Sequence, residues 1–428
     1  MVKKIKYDKQ AIDLSALQDF QKYAALKQNE VSSSTLMEAL ARDELEEYKR
    51  QAERSLRRIG LLKEAIDIDI RALKIEGAVA KWRLVAKEKG LITDEEISQF
   101  LLSKIGVYED QDNYTGNISA LLVIVALYTE ILKGFSSVKA PEIWAQLQNN
   151  LGVIYQTLGE RGEDESFEKA ITAYENVLGE ISRKNDPSNW AMLQNNLGNV
   201  YRVQGERGDD VMLTRAIAVY KNALKEYTRR NFPMKWAATQ NNLGGVYRVL
   251  GERGDDEALT KAVIAYGSAL KERTREKAPM GWAATQNNVG NVYQVLGQRG
   301  DHEALAKAVS AYENALKERT REKAPMDWAM TQNNLGVVYG VLGERGDAEA
   351  LTKAVKAYEN ALMEYTREKA PMDWALTTQN LGFVLWFNND KQAGEVCLRA
   401  ALAYFRTVEA SYYVSTLEAG LRSLGLEP

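Results

Sequence analysis

Few side chains in this sequence of 428 residues could perform nucleophilic or metal chemistry. The chain holds one histidine, His302, and one cysteine, Cys397. A single histidine excludes multi-histidine metal sites within one chain. A single cysteine excludes an internal disulfide framework and fits a reducing compartment.

A Cys–His pair would need its two groups within hydrogen-bond reach, roughly 3 Å apart. His302 and Cys397 fall two repeats apart in the helical array inferred below, on the order of 20 Å, because packed helices are spaced about 8–10 Å. We therefore predict no catalytic residue, no metal site and no cofactor. Cys397 is expected to be a small core residue and His302 a solvated loop residue.

Charge and hydropathy exclude further classes of function. Lys and Arg total 56 against 59 Asp and Glu, a net charge of -3, which gives no bulk attraction to nucleic acid or anionic membrane. The longest apolar run, 120–128, is far shorter than the roughly 20 residues that span a bilayer. No apolar signal core follows the basic amino terminus. These features predict a cytoplasmic protein with no nucleic-acid or membrane partner.

The strongest pattern is an internal repeat of 46 residues. A tryptophan recurs at that interval, followed each time by a Gln-Asn-Asn-Leu-Gly phrase that has Val289 for leucine in one copy and is altered further in the last. Residues 233–278 and 279–324 are identical at 36 of 46 positions. Self-similarity at this period indicates stacked supersecondary units. The tryptophans are Trp144, Trp190, Trp236, Trp282, Trp328 and Trp374.

Each unit has the pattern of two helices. The first helix opens at a proline, which suits a first helical turn, and carries an apolar stripe at helical spacing. A Gly-Glu-Arg-Gly-Asp segment then supplies a turn at glycine and a cap at aspartate. The Arg-Gly-Asp tripeptides are therefore interpreted as turns, not as adhesion motifs. The second helix, from Leu305 in the fourth unit, is predicted to run through Glu318–Arg321 to the next proline.

The positions that define the unit resemble the tetratricopeptide repeat. Leu151-Gly152-x-x-Tyr155, followed by Ala170 and Tyr174, matches the small and aromatic residues that allow close helix packing in that family. The unit exceeds the usual length of about 34 residues by about 12, and is similar to repeats of kinesin light chains and of bacterial arrays attached to signalling ATPases or CHAT-type proteases. The resemblance implies an all-α, right-handed α-solenoid of stacked antiparallel helix hairpins.

Four segments follow from the phase of the repeat. Residues 1–94 lack it and are predicted to form a helical cap or small helical domain, with a dimerising coiled coil as the alternative. Within them, Ser33-Ser34-Thr35 would cap a helix ending near Gly60, and Leu61–Lys89 would form another. Residues 95–140 would be a degenerate unit with 120–128 in its buried second helix. Residues 141–370 hold five regular units, and 371–428 a terminal unit with a capping helix.

Candidate binding residues are those that vary within the otherwise fixed first helix. The equivalents of Val153 and Gln156 differ from unit to unit, which indicates either individually tuned contacts or a solvated face free to drift. The family resemblance implies that first helices line a concave groove and that the asparagine before Leu-Gly bonds a bound peptide backbone. The predicted binding residues are Asn150, Asn196, Asn199, Arg202, Asn242, Arg248, Asn288, Asn291, Gln294 and Asn334.

We therefore expect a non-enzymatic scaffold, adaptor or sensor that holds a protein or peptide segment. Arg202 and Arg248 would suit an acidic segment. One alternative is a regulatory array whose enzymatic activity lies in residues 1–94 or in a partner. Another is a self-assembling structural array, and the sequence leaves the oligomeric state open.

Overall fold

The computed structural model describes residues 35–115 and 118–428. That part of the chain forms helices joined by turns and contains no strand, which confirms the all-α fold class. The helices are α1 (Thr35–Arg71), α2 (Ile75–Glu88), α3 (Asp94–Thr115), α4 (Ile118–Leu132), α5 (Pro141–Glu160), α6 (Ser166–Glu180), α7 (Pro187–Glu206), α8 (Asp210–Ala223), α9 (Pro233–Glu252), α10 (Asp256–Ala269), α11 (Pro279–Gln298), α12 (His302–Leu316), α13 (Pro325–Glu344), α14 (Ala348–Leu362), α15 (Pro371–Phe387), α16 (Lys391–Thr407) and α17 (Ser411–Ser423).

The chain divides into two compact units, one ending at Asp186 and the other running from Pro187 to Pro428. In the second unit, α7 to α16 form five consecutive hairpins, and each hairpin also contacts the next. The first unit ends with one such hairpin, α5 and α6. The division falls after the first regular repeat of the sequence.

Local sequence sets where the first helices begin and where they turn. Proline occupies the first turn of α11, and the Trp282 N–H donates to the Ala278 carbonyl at 2.7 Å. Gly300 ends the hairpin turn with φ +108°, a conformation that side chains disfavour. The Asp301 carboxylate then accepts from the N–H groups of Glu303 and Ala304, which caps α12. The interpretation of the Arg-Gly-Asp segments as turns is confirmed.

A glycine–tyrosine contact closes the hairpins from α7–α8 to α13–α14, and in the last hairpin Gly382 meets Leu398 instead. Tyr312 of α12 is fully buried, and a Cβ atom at Gly290 of α11 would lie 2.5 Å from its Cε1. Gly198, Gly244 and Gly336 meet their own tyrosines in the same way. The Leu-Gly phrase is therefore needed because only glycine lets the two helices approach this closely.

Several helix boundaries differ from those predicted. Helix α12 ends at Leu316, not at the following proline, and α1 continues through Gly60 to Arg71. The predicted helix over 61–89 is interrupted at Leu73, whose φ of 55° ends α1. Ser33 and Ser34 lie outside the described residues. The apolar run 120–128 lies in the buried α4, as predicted.

The carboxyl end of the array is covered by α17. Leu417 and Leu421 of this helix are buried in one cluster with Phe405 of α16. The predicted capping helix is thus present. No helix in the described ranges combines the length and apolar character needed to cross a bilayer.

Candidate partner-binding surface

The variable positions of the first helices lie on one face, and in the units from 187 to 370 all of them except the buried Gly340 are only partly buried. We call them the variable face, defined by the equivalents of Val153 and Gln156. The side chains of Arg202 and Arg248 keep 28% and 23% of their surface exposed. A Cβ atom at Gly245 would lie 3.7 Å from Arg202 Cδ and from Tyr266 Oη. The members in the four units from 187 to 370 are Asn199, Gly245, Asn291, Val337, Arg202, Arg248, Gln294 and Gly340.

The asparagines predicted to bind a partner contact the neighbouring repeat. Asn242 Nδ2 donates to Asn199 Oδ1 at 3.0 Å, and Asn334 Nδ2 donates to Asn291 Oδ1 at 3.2 Å. Asn288 Nδ2 donates to the side chain of Asn241 at 3.3 Å. One bond leaves the second N–H of the Asn242 and Asn288 amides for another acceptor, whereas Asn334 Nδ2 also donates to Asn287 Oδ1 at 3.5 Å.

Buried tyrosine hydroxyls form hydrogen bonds with other predicted binding residues. The Tyr220 hydroxyl donates to Asn199 Oδ1 at 2.7 Å. The Tyr312 hydroxyl lies 2.7 Å from Asn291 Oδ1 and 2.9 Å from Gln294 Oε1, which share its single proton. These bonds fix the amides from beneath the variable face.

The two amino-terminal asparagines of the predicted set occupy the same position in their helices. Asn150 Nδ2 donates to the Tyr128 hydroxyl at 3.3 Å, and Asn196 is half-buried on α7. Asn150 thus ties the first regular repeat to α4.

Each arginine of the variable face pairs with a glutamate of its own helix. Arg202 Nη1 lies 2.5 Å from Glu206 Oε1, and Arg248 pairs with Glu252 in the same way. Burial opposes the charge of Arg202, but Glu206 keeps its pKa above the ordinary value. Both guanidinium groups therefore stay charged while their local charge is balanced.

A buried ladder of threonine and asparagine links successive first helices. The Thr285 hydroxyl lies 3.0 Å from Asn241 Oδ1, and the Thr331 hydroxyl lies 3.1 Å from Asn287 Oδ1. Thr285 and Thr331 have no exposed surface. Sequence reasoning missed this ladder, although threonine recurs at this position from Thr239 onward.

The loop arginines bridge neighbouring repeats. Arg299 pairs with Asp256 and donates to the Gly251 carbonyl at 2.5 Å, which satisfies the end of the preceding first helix. Arg253 does the same at Asp210 and Gly205. The repeated sequence of the turn thus provides an inter-repeat contact through its arginine as well as a helix cap through its aspartate.

His302 and Cys397 lie in different environments, one polar and exposed and the other largely apolar. His302 is exposed, as predicted, but its Nδ1 lies 3.3 Å from Arg345 Nη1, where Asp256 stands in the preceding repeat. Cys397 is half-buried among apolar side chains of α13 to α15. Within the described residues, no group of three or more His, Cys, Asp and Glu side chains could hold a metal ion.

Comparison with known proteins agrees with this architecture. Residues 144–187 match the family model described as tetratricopeptide repeat. That range is the first regular unit, and the later units copy it at the 46-residue interval. The first regular unit is therefore a tetratricopeptide repeat, as the resemblance of its sequence predicted. No curated protein matches the chain.

Three solved structures have a limited likeness to the chain. The crystal structure of BtubC (BKLC) from P. vanneervenii is 21% identical, covers 57% of this chain and 90% of its own, and has a TM-score of 0.44. Rap protein complexed with competence and sporulation factor is 15% identical over 87% of this chain and 98% of its own, with a TM-score of 0.48. A circular tandem repeat protein is 18% identical over 87% and 92%, with a TM-score of 0.25. With all three scores below 0.5, the fold assignment rests on the repeats and helices of this chain.

Proposed function

We propose that the array is a non-enzymatic scaffold, adaptor or sensor that holds a segment of a protein partner along the variable face of its first helices. The observation that carries the proposal is the contrast between packed and variable positions. Gly244 and Gly290 repeat because the tyrosine beneath leaves room for nothing else. Gly245 and Asn291, one residue further on, differ between the same units while remaining partly exposed.

The chemistry of the face supports a peptide-like ligand. The Asn242 and Asn288 amides of the same first helices keep one N–H each beyond their inter-repeat bonds, and such groups suit the carbonyls of an extended backbone. Arg202 and Arg248 remain charged in adjacent repeats, so an acidic side chain could share their guanidinium groups with Glu206 and Glu252. A protein that works in the cytoplasm fits the single free cysteine.

Site-specific crosslinking tests the location. A photoreactive residue at Gln294 on the variable face should crosslink a partner in a lysate of the source cells. The same residue at Lys356, exposed on α14, should not crosslink that partner. The crosslinked protein is then identified by mass spectrometry and purified.

Affinity for the purified partner tests the arginines. The double variant Arg202→Gln, Arg248→Gln should bind it more weakly, with unchanged helical circular dichroism. Arg399→Gln, Arg422→Gln is the matched control, because these exposed arginines also pair with a glutamate four residues away on their own helices. Equal affinity of both double variants and the wild type would show that the arginines of the variable face make no contact with the partner.

A further inference from the structure

A second pair of positions changes between repeats, away from the variable face. The side chain six residues before each proline packs beside the third residue of the helix that follows. Lys235 Nζ lies 5.2 Å from the Tyr227 ring centroid at the start of α9. The two following interfaces place an arginine there, Arg273 before α11 and Arg319 before α13.

Arg319 has a carboxylate partner from its own chain. Its Nη2 lies 3.5 Å from Asp327 Oδ1, and its Nη1 donates to the Thr331 hydroxyl at 3.2 Å. Only 6% of Arg319 is exposed. Burial lowers the pKa of Arg319, and Asp327 partly offsets that effect.

Arg273 occupies the same position without a carboxylate. Its Nη1 donates to the Thr285 hydroxyl at 3.2 Å, as in the next repeat. Gly281 stands where Asp327 stands, and no ion pair joins Arg273 to another described residue. Burial lowers the pKa of Arg273, and no acidic neighbour offsets it.

The space left by Gly281 adjoins the guanidinium group. A Cβ atom at Gly281 would lie 3.6 Å from Arg273 Cδ and 3.7 Å from Arg273 Nε, which is ordinary contact. Arg273 is half-buried where Arg319 is buried, so more of the Arg273 residue is accessible to solvent. The first turn of α11 holds no acidic residue, whereas Asp327 complements the first turn of α13.

We propose that Arg273, with the space at Gly281, is a binding site for a carboxylate group, which occupies the position that the Asp327 side chain fills in the next repeat. The carboxylate comes from an acidic side chain of a partner or from a small carboxylate ligand. Both sources share the same recognition, a carboxylate oxygen facing the guanidinium and the start of a helix. The site does not include the variable face, so an experiment can disprove it without disproving the proposed function, and the reverse also holds.

Acetate is the probe for the test. Its binding is monitored through the arginine Nε–Hε signals in NMR spectra of the full chain. The Arg273 signal is assigned by its loss in Arg273→Lys. We expect acetate, titrated against chloride at constant ionic strength, to shift the Arg273 signal in a saturable way. The Arg319 signal should not follow, because Asp327 already occupies its site.

Reciprocal variants provide the control. Gly281→Asp should abolish the acetate shift at Arg273, since it supplies the carboxylate from within, as Asp327 does. Asp327→Gly should create an acetate shift at Arg319. Circular dichroism confirms that both variants are folded. Equal acetate shifts at the two arginines of the wild type, or an unchanged shift at Arg273 in Gly281→Asp, would overturn the proposal.

Two further ligands define the chemistry and its source. A shift with inorganic phosphate but none with acetate would also overturn the assignment to a carboxylate. A short peptide with one glutamate and blocked termini tests access from a macromolecule. A shift with this peptide assigns the site to an acidic side chain of a partner, and a shift with acetate alone assigns it to a small carboxylate ligand.

Discussion

At the scale of single residues, polar side chains that resemble ligand contacts hold neighbouring repeats together. Asn287 is 2% exposed, and its Oδ1 accepts from the Thr331 hydroxyl and from Asn334 Nδ2, both in the next repeat. An unpaired buried acceptor costs about 1–3 kcal/mol. A repeated asparagine is therefore retained for stability whether or not a ligand ever meets it, and the sequence alone cannot separate the two roles.

The close contact of glycine with tyrosine gives the first stability prediction. Gly290→Ala should destabilise the protein by about 1–3 kcal/mol, because the new methyl group overlaps the Tyr312 ring and the packed hairpin must shift. The measurement is the urea midpoint followed by circular dichroism.

Gly267→Ala is the matched control for that change. Gly267 lies on an exposed turn of α10 with no atom within 4 Å of a Cβ position. Alanine there should stabilise the helix by roughly 0.5–1 kcal/mol. A similar loss in both variants would mean that the cost comes from helix propensity or the unfolded chain, not from the Tyr312 contact.

At the scale of elements, helix starts were predictable and helix ends were not. The prolines and aspartates that open helices act through their own backbone, so Pro279 and Asp301 mark α11 and α12 from sequence alone. Four of the five residues from 317 to 321 are good helix formers, yet α12 ends at Leu316. Glu318 there bonds Arg275 of the preceding repeat at 2.6 Å, a tertiary contact that no local pattern records.

The same reasoning applies to the binding site proposed at Arg273. Its residue type and its place in the repeat were visible, and so was the glycine at 281. What the sequence could not show is that residues 273 and 281 touch, because the turn between them was predicted to be helix. Because the turn brings residues 273 and 281 together, glycine at 281 leaves Arg273 without the carboxylate that Asp327 gives to Arg319.

The Arg275–Glu318 pair predicts a specific pH dependence. The Arg275 hydrogen bond holds the pKa of Glu318 below its ordinary value. The carboxylate therefore adds stability above its unfolded pKa of about 4.3, and that stability is lost as the pH falls through the lower folded value. Arg275→Gln should reduce the melting temperature at neutral pH, and the difference from wild type should narrow in acid.

Lys271→Gln is the control for the pH experiment, because Lys271 is exposed and forms no ion pair with a described residue. Its melting temperature should follow the wild type at every pH. The decrease in melting temperature of Arg275→Gln could instead be the same at neutral and acid pH. That result would mean that the stability comes from the contact of Arg275 with the Trp282 ring and not from the ion pair.

At the scale of the whole molecule, each repeat depends on its immediate neighbours. Within residues 187–428, many inter-repeat hydrogen bonds and ion pairs join residues 42 to 48 apart, as in Arg275 to Lys317 and Arg299 to Gly251, and the others join residues still closer in sequence. Stability of such an array is approximately a sum of repeat and nearest-neighbour terms. Removing one complete repeat should therefore leave every interface with a suitable partner.

Deletion of residues 279–324 tests this expectation. Arg345 would then meet Asp256 in place of His302, and Thr331 would meet Asn241, a pairing already present with Thr285. We expect a folded protein with unchanged helicity per residue by circular dichroism and one cooperative melt.

Deletion of residues 279–301 is the contrasting variant, because it removes α11 and leaves two second helices in succession. It should lose helicity and its cooperative melt. Equal folding of the two deletion variants would contradict the dependence of each repeat on hairpin order.

His302 has a consequence for how neighbouring repeats attract each other. Arg253 and Arg299 each face an aspartate of the preceding repeat, whereas Arg345 faces the His302 imidazole and also bonds the Gly297 carbonyl. The boundary between 324 and 325 therefore lacks the arginine–aspartate loop pair of the two boundaries before it, and its ion pairs come from Arg319 and Arg321. Aspartate at position 302 would restore that pair and make the loop contacts of all three boundaries alike.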